Sequence, residues 1–123
     1  ESIAIGQELR RAFAEGRAHM IGTSGTVTSL AGVHMNLPRY ERQKVDGYWF
    51  DVRDCRAAIG RLLQRDHAGR ASHPCIGKDR ADLVIAGGAI LDAVLRVWPV
   101  QRIRVADRGL REGVLMRLMA GGR

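Results

Sequence analysis

The sequence predicts a helix-rich α/β domain of about five helices and two to three short strands. Short apolar runs bounded by Gly or Pro alternate with stretches of helical period, the strand–helix order of a layered α/β protein. The chain has 123 residues, the length of a single domain. Three strands make a thin sheet, so part of a larger sheet is expected to lie elsewhere.

The elements follow in order. Residues 2–14 read as a first helix, capped by Ser2, with Ile5, Leu9, Ala12 and Phe13 on one face and Gly16 as its stop. Residues 18–22 form a short buried strand that enters a Gly/Thr/Ser turn. A second helix spans 26–35 and ends near Asn36 and Pro38, and residues 39–44 are polar and exposed. Residues 45–50, rich in β-formers around Gly47, read as an extended strand. Asp51 then caps a helix over 52–67, with Cys55, Ile59, Leu62 and Leu63 on its apolar stripe. Residues 69–77, containing Pro74, form a loop. Asp79 or Arg80 opens a helix with apolar positions at Leu83, Val84, Ala86, Gly87, Ile90, Leu91, Val94 and Leu95, which Pro99 ends. Residues 102–106 alternate charged and apolar as a half-buried strand does, Asp107-Arg108-Gly109 turns the chain, and a last helix covers 110–119 before a fraying Gly-Gly-Arg tail.

Composition narrows the function classes. A content of 46% hydrophobic and 27% charged residues fits a globular chain rather than a disordered one. No apolar run is long enough to span a bilayer, and the amino terminus has no basic stretch followed by an apolar core. A start at Glu1, already in helical pattern, suggests a fragment boundary. Cys55 and Cys75 lie far apart without CxxC spacing and read as reduced thiols, which points to the cytoplasm. The four histidines are scattered and only His73 lies near a cysteine, so no metal site is expected.

The net charge is +7, and 18 of the 20 basic residues are arginine. Guanidinium is a planar fork of donors suited to phosphate oxygens, which makes a polyanionic partner reasonable. Most of these arginines lie at helix-surface spacings among Asp and Glu, where plain solvated charge accounts for them. Few aromatics argue against a base-stacking nucleic-acid surface, and Trp49 and Trp98 read as core or interlobe residues.

Three segments could carry chemistry. Gly22-Thr23-Ser24-Gly25-Thr26 lies between a strand and a helix, where glycines permit close approach and the helix amino terminus presents free N–H groups to a phosphate or nucleotide. A tight turn with a Ser/Thr cap explains the same residues equally well. No lysine makes this a Walker loop, and Thr26 stands where the hydrolase elbow needs glycine. Gly87-Gly88 interrupts an apolar helix, which close packing or a hinge would explain. Arg108, Arg111 and Glu112 cluster at a turn, either as a local ion-pair network or, with Arg80, as anion contacts.

In this order the three segments resemble the Ppx/GppA phosphatase family (exopolyphosphatases and guanosine pentaphosphatases). Residues 20–31 resemble its GTSGT-type segment, residues 80–91 its "RAD…AG-A-IL" helix, and residues 105–115 its closing "GLREG" segment. The likeness covers nearly the whole chain and implies the carboxyl-terminal part of an actin/hexokinase-like (ribonuclease H-like) fold, with substrate held between two lobes. It implies removal of terminal phosphate from polyphosphate or guanosine pentaphosphate, with Mg²⁺. The family's first phosphate loop, catalytic glutamate and Asp-Gly-Gly-Gly-Ser loop have no counterpart here, so no catalytic residue or metal ligand is expected in this chain. The resemblance implies that residues 22–26 face the interlobe cleft and that the Gly87-Gly88 helix packs against the other lobe near the hinge. It places Arg108 and Arg111 near the last strand–helix turn. The chain alone is expected to be inactive and, with the amino-terminal lobe missing, to form a homo-oligomer. The alternative is a polyanion-binding module without catalysis.

Overall fold

Arg102-Ile103-Arg104-Val105 builds the strand around which the domain is arranged. Successive side chains of a strand point to opposite faces. Ile103 and Val105 therefore enter the core completely, while Arg102 and Arg104 stay exposed. The computed structural model describes residues 2–121, with side chains from residue 5 onward. Its elements in chain order are α1 (Ser2–Ala14), β1 (Met20–Gly22), α2 (Gly25–His34), α3 (Arg42–Val45), β2 (Trp49–Asp51), α4 (Val52–Leu63), α5 (His67–Ala71), a 3₁₀ turn (Lys78–Arg80), α6 (Leu83–Val97), β3 (Arg102–Val105) and α7 (Leu110–Met119). β3 lies at the centre of the sheet. β1 runs parallel to it with Met20 opposite Ile103, and β2 runs antiparallel with Trp49 opposite Arg104.

Helices cover one face of this sheet. α2 is buried at every position from Val27 to Val33, so it is a core helix rather than an amphipathic one. Ser24 caps it by accepting the Val27 N–H at 3.3 Å, and the chain leaves it at Asn36, which takes a left-handed φ of 54°. Against α2 pack Cys55, Ala58 and Leu62 of α4 and Val84 and Leu95 of α6, with Phe50, Ile103 and Val105 supplied by the sheet. Full burial of side chains such as Phe50, Leu30 and Leu62 contributes about 1.5–3 kcal/mol each.

The fold class and the order of elements agree with the sequence prediction. The described residues, however, hold seven α-helices rather than five. The helix expected over 52–67 breaks after Leu63 because Asp66 starts a new one, its carboxylate accepting the Gly69 N–H at 2.7 Å. Residues 39–44 are not simply exposed coil: Arg42–Val45 is helical and buries Val45 completely, so the next strand begins only at Trp49. Lys78–Arg80 is a separate 3₁₀ turn, and α6 starts at Leu83. On α6, Val84 and Leu95 are buried while Leu83, Ile90 and Val94 are exposed, because α2 and α4 cover one side only. Ile5 and Leu9 on α1 and Leu63 on α4 are likewise exposed. Cys55 and Cys75 are free, buried thiols. The expected Ser2 cap and the end of the Gly-Gly-Arg tail lie outside the described side chains.

The paired glycines of α6 have different surroundings. A Cβ on Gly87 would overlap the Thr26 hydroxyl, so here α6 crosses the first turn of α2 at backbone distance. A Cβ on Gly88 would rest 3.5 Å from Ile59, an ordinary contact. Gly87→Ala should therefore cost about 1–3 kcal/mol through overpacking. Gly88→Ala should be neutral or stabilising by up to about 1 kcal/mol through helix propensity. Urea denaturation of both variants checks this, and equal midpoints would refute the tight crossing at Gly87.

Candidate functional site

Because β1 and β3 are parallel, both end on the same side of the sheet, and the segments that follow them meet there. The Ala106 N–H donates to the Gly22 carbonyl at 2.9 Å, extending the pairing just past the strand ends. The carboxyl ends of parallel strands are where open α/β sheets leave a crevice for ligands. Two adjoining clefts occupy this rim. One, of about 510 Å³, is lined by Thr23, Gly25, Tyr40, Cys75, Arg80 and Asp107 among others. The other, of about 370 Å³, is lined by Thr23 and by the turn and first residues of α7, including Arg108 and Arg111. Thr23 and Asp107 belong to both.

A polar knot fixes the rim. The Tyr40 hydroxyl donates to Asp107 Oδ2 at 2.7 Å, and Arg42 Nε donates to the Asp107 carbonyl at 2.9 Å. The Asp107 N–H donates to Asp46 Oδ1 at 2.9 Å, and Arg108 Nε donates to Asp46 Oδ2 at 3.1 Å. At the start of α7, the Gly109 N–H donates to Glu112 Oε2 at 2.8 Å. The Asp107 N–H, and then Arg108, hold the Asp46 carboxyl below the usual carboxylate range. Glu112 is held down first by the Gly109 N–H. Burial, assisted by the bond to Asp107, pushes the Tyr40 hydroxyl up to about 12. Tyr40 therefore stays a neutral donor over the physiological range.

The residues singled out in the sequence divide by role. Thr23 and Gly25 line the clefts. Gly22 turns inward, since a Cβ there would come within 2.8 Å of Val27. The Ser24 hydroxyl serves as the helix cap, and Thr26 abuts Gly87. Arg80 lies over the amino terminus of α2, with its Nη1 3.0 Å from where a Gly25 Cβ would sit. Thus Thr23, Gly25, Arg80, Arg108 and Arg111 come together around one rim. Gly87 and Gly88 stand behind it, Gly87 against Thr26 and Gly88 against Ile59. Tyr40 was not legible in the sequence, because its partner Asp107 is 67 residues away and nothing local marks the pair.

The rim does not suit Mg²⁺. Its carboxylates, Asp46, Asp107 and Glu112, already accept from Arg108, Tyr40 and backbone N–H groups. Among the described residues no three His, Cys, Asp or Glu side chains converge as a metal set. No helix among them is long and apolar enough to cross a membrane.

Asp46 provides a pH test. A depressed folded-state pKa contributes stability above the ordinary carboxylate range, and that stability disappears as pH falls through the depressed value. Asp46→Asn should thus cost on the order of 1 kcal/mol near neutral pH, with the gap closing as the pH falls through the depressed value. Denaturant titrations near neutral pH and in acid check this, and a gap that persists in acid would show that the carboxylate charge is not its source.

The profile of the Ppx/GppA phosphatase family matches residues 5–121. A Haemophilus influenzae protein that carries the name of an exopolyphosphatase is 31% identical over 115 residues, covering 93% of this chain and 32% of that protein. The fold is similar to the Aquifex aeolicus Ppx/GppA phosphatase, with a TM-score of 0.76 and 24% identity, covering 96% of this chain and 41% of that one. It is also similar to an exopolyphosphatase from Cytophaga hutchinsonii, with a TM-score of 0.72 and 25% identity, covering 93% of this chain and 38% of that one. The chain thus spans from 32% to 41% of the length of these relatives, as a partial lobe of their actin-like fold. Because the family profile matches nearly the whole chain, the chain belongs to the Ppx/GppA phosphatase family.

Proposed function

We propose that this chain is the carboxyl-terminal part of a phosphohydrolase that removes terminal phosphate from polyphosphate or guanosine pentaphosphate. Its role is to present the substrate-facing rim, while the remainder of the protein supplies the general base and the Mg²⁺ ligands. In the reaction, water attacks the terminal phosphorus, the P–O anhydride bond breaks, and orthophosphate leaves the shortened chain. The observation that supports this reading is the cleft where Thr23, Gly25 and Arg80 lie beside the amino terminus of α2. Backbone N–H groups, a dipole end and a guanidinium there suit an anionic substrate. The rim carboxylates are held by arginine, tyrosine or backbone donors, so none is free to activate water. The isolated chain is therefore inactive. A cytoplasmic location fits the two free thiols.

The amino-terminal lobe is the partner this reading requires. An exposed row on α6 (Leu83, Ile90, Val94) and exposed apolar residues on α7 (Leu110, Leu115, Met119) fit surfaces that it would cover. In the isolated chain the same residues would drive self-association. A second reading, a polyanion-binding module without catalysis, is favoured by the +7 charge alone.

Malachite-green assay of polyphosphate and guanosine pentaphosphate should find no phosphate release by this chain, and release by a protein extended through the Asp-Gly-Gly-Gly-Ser loop. Arg80→Gln in the extended protein should lower kcat/KM by about tenfold or more, the loss of one charge-assisted contact. Release by this chain above Ser24→Ala and unrelated-protein controls would overturn the reading. Sedimentation over a concentration series should show association, and a monomer throughout would contradict it.

A further inference from the structure

Helix α5 buries none of its residues, so core packing does not hold it in place. Polar contacts do. Asp66 caps it through the Gly69 N–H, and the half-buried Arg70 near its end reaches three carbonyls. Arg70 Nη1 donates to the carbonyls of Leu62 and Arg65 at the end of α4, where the helix dipole favours a cation. Its Nε donates to the carbonyl of Ala81 at 3.1 Å, and Ala81 is fully buried. One residue further along, Asp82 Oδ1 lies 2.9 Å from Nδ1 of His67, the first residue of α5. α5 thus ties the end of α4 to the two residues that follow Arg80.

Arg80 itself is exposed at the last position of the 3₁₀ turn, and its side chain has no hydrogen bond or ion pair among the described residues. Its guanidinium nevertheless lies against Gly25, with Nη1 3.0 Å, Cζ 3.2 Å and Nη2 3.5 Å from where a Cβ would sit. A long side chain without a bond of its own loses rotamer freedom in such a place, so the backbone beneath it must be fixed. The turn supplies little of that: the Arg80 N–H donates to the Gly77 carbonyl at 3.4 Å, a long bond. We propose that Arg70 and His67 are positioning residues that clamp residues 81–82 and so hold the Arg80 guanidinium over the amino terminus of α2, where it meets the anionic substrate. This rests on the oligophosphate reading of the cleft and adds what keeps its unpaired cation in place. Arg70 and His67 line neither cleft of the rim, so they act through Arg80 and not on substrate. The His67–Asp82 pair is exposed and contributes little to stability, which confines its effect to the segment it holds.

The test is a double-mutant cycle on kcat and KM for phosphate release from tripolyphosphate by the protein extended through the Asp-Gly-Gly-Gly-Ser loop. Arg70→Met keeps the stem and removes the donors, and it should raise KM about fivefold or more with kcat little changed. His67→Ala should raise KM about two- to threefold, and His67→Gln, which keeps a donor for Asp82, should restore most of that loss. In an Arg80→Gln background neither Arg70→Met nor His67→Ala should raise KM by more than about 1.5-fold. A merely structural role gives a lower kcat from a smaller folded fraction, an unchanged KM, and losses that multiply with that of Arg80→Gln. That pattern would overturn the proposal. If Arg70→Met fails to fold, the exposed His67→Ala decides the cycle. Arg56→Gln, which breaks the exposed pair with Asp92 between α4 and α6, should leave both constants unchanged. A loss in Arg80→Gln with unaltered kinetics in Arg70→Met and His67→Ala would sink the clamp and leave the cleft reading standing, whereas no effect of Arg80→Gln would sink both. Hydrogen–deuterium exchange of this chain reads the clamp without turnover. Arg70→Met and His67→Ala should speed exchange over residues 78–83, by about tenfold for Arg70→Met, and leave α2 unchanged. Unchanged exchange over 78–83, or an equal rise in α2, would overturn the clamp. If the extended protein releases no phosphate, the cleft reading fails and exchange alone decides the clamp.

Discussion

Strand β3 is the constraint on which the other features depend. Its apolar residues, Ile103 and Val105, are fully buried and form the floor on which α2, α4 and α6 stack. Because β3 pairs on both sides, it also sets the register of β1 and β2 and so the height at which the following turns emerge. Asp107 leaves its end directly beside Thr23, and the rim exists because those two chain ends are neighbours. A strand shifted by one residue would expose Ile103 and Val105, bury Arg102 and Arg104, and move the rim.

The second constraint is the position of α2 inside the domain. A helix surrounded by sheet and helices gains stability from packing rather than propensity, so Thr26, Val27, Thr28 and Ser29 are tolerated in its first turns. Its amino terminus is fixed from three directions. Ser24 caps it, Arg80 lies over Gly25, and Gly87 lets α6 cross against Thr26. The loop that faces the cleft is thus held by residues some sixty positions later in the chain. A candidate substrate loop on such a support is rigid, as a binding site on a scaffold should be.

Electrostatics divides the basic residues into two kinds. Arg42, Arg56, Arg96 and Arg108 are matched with Asp92, Asp107, Asp46 or Glu112 and serve the structure. Exposed pairs of this kind contribute little each, and their value at the rim lies in holding Asp107 and the start of α7 in place. Arg80, Arg102 and Arg104 have no such partner among the described residues: Arg80 lies over Gly25, and the other two lie on the Trp49 ring.

Read without coordinates, the residues already specify the α/β class, the three family segments and the last helix, whose limits coincide with α7. These are local properties: a Gly/Thr/Ser turn, a strand alternation and a run of helical period are written in consecutive residues. The break after Leu63 depends on one competing cap at Asp66, and the helix around Val45 on burial that no neighbouring residue signals. Tertiary structure alone decided which apolar stripe of α6 is covered, which loop hydroxyls face inward, that Tyr40 and Asp46 hold the end of β3, and that Trp49 aligns two arginines. Each of these depends on contacts between residues distant in the chain, and such contacts are set by how the layers pack rather than by any segment's own preference.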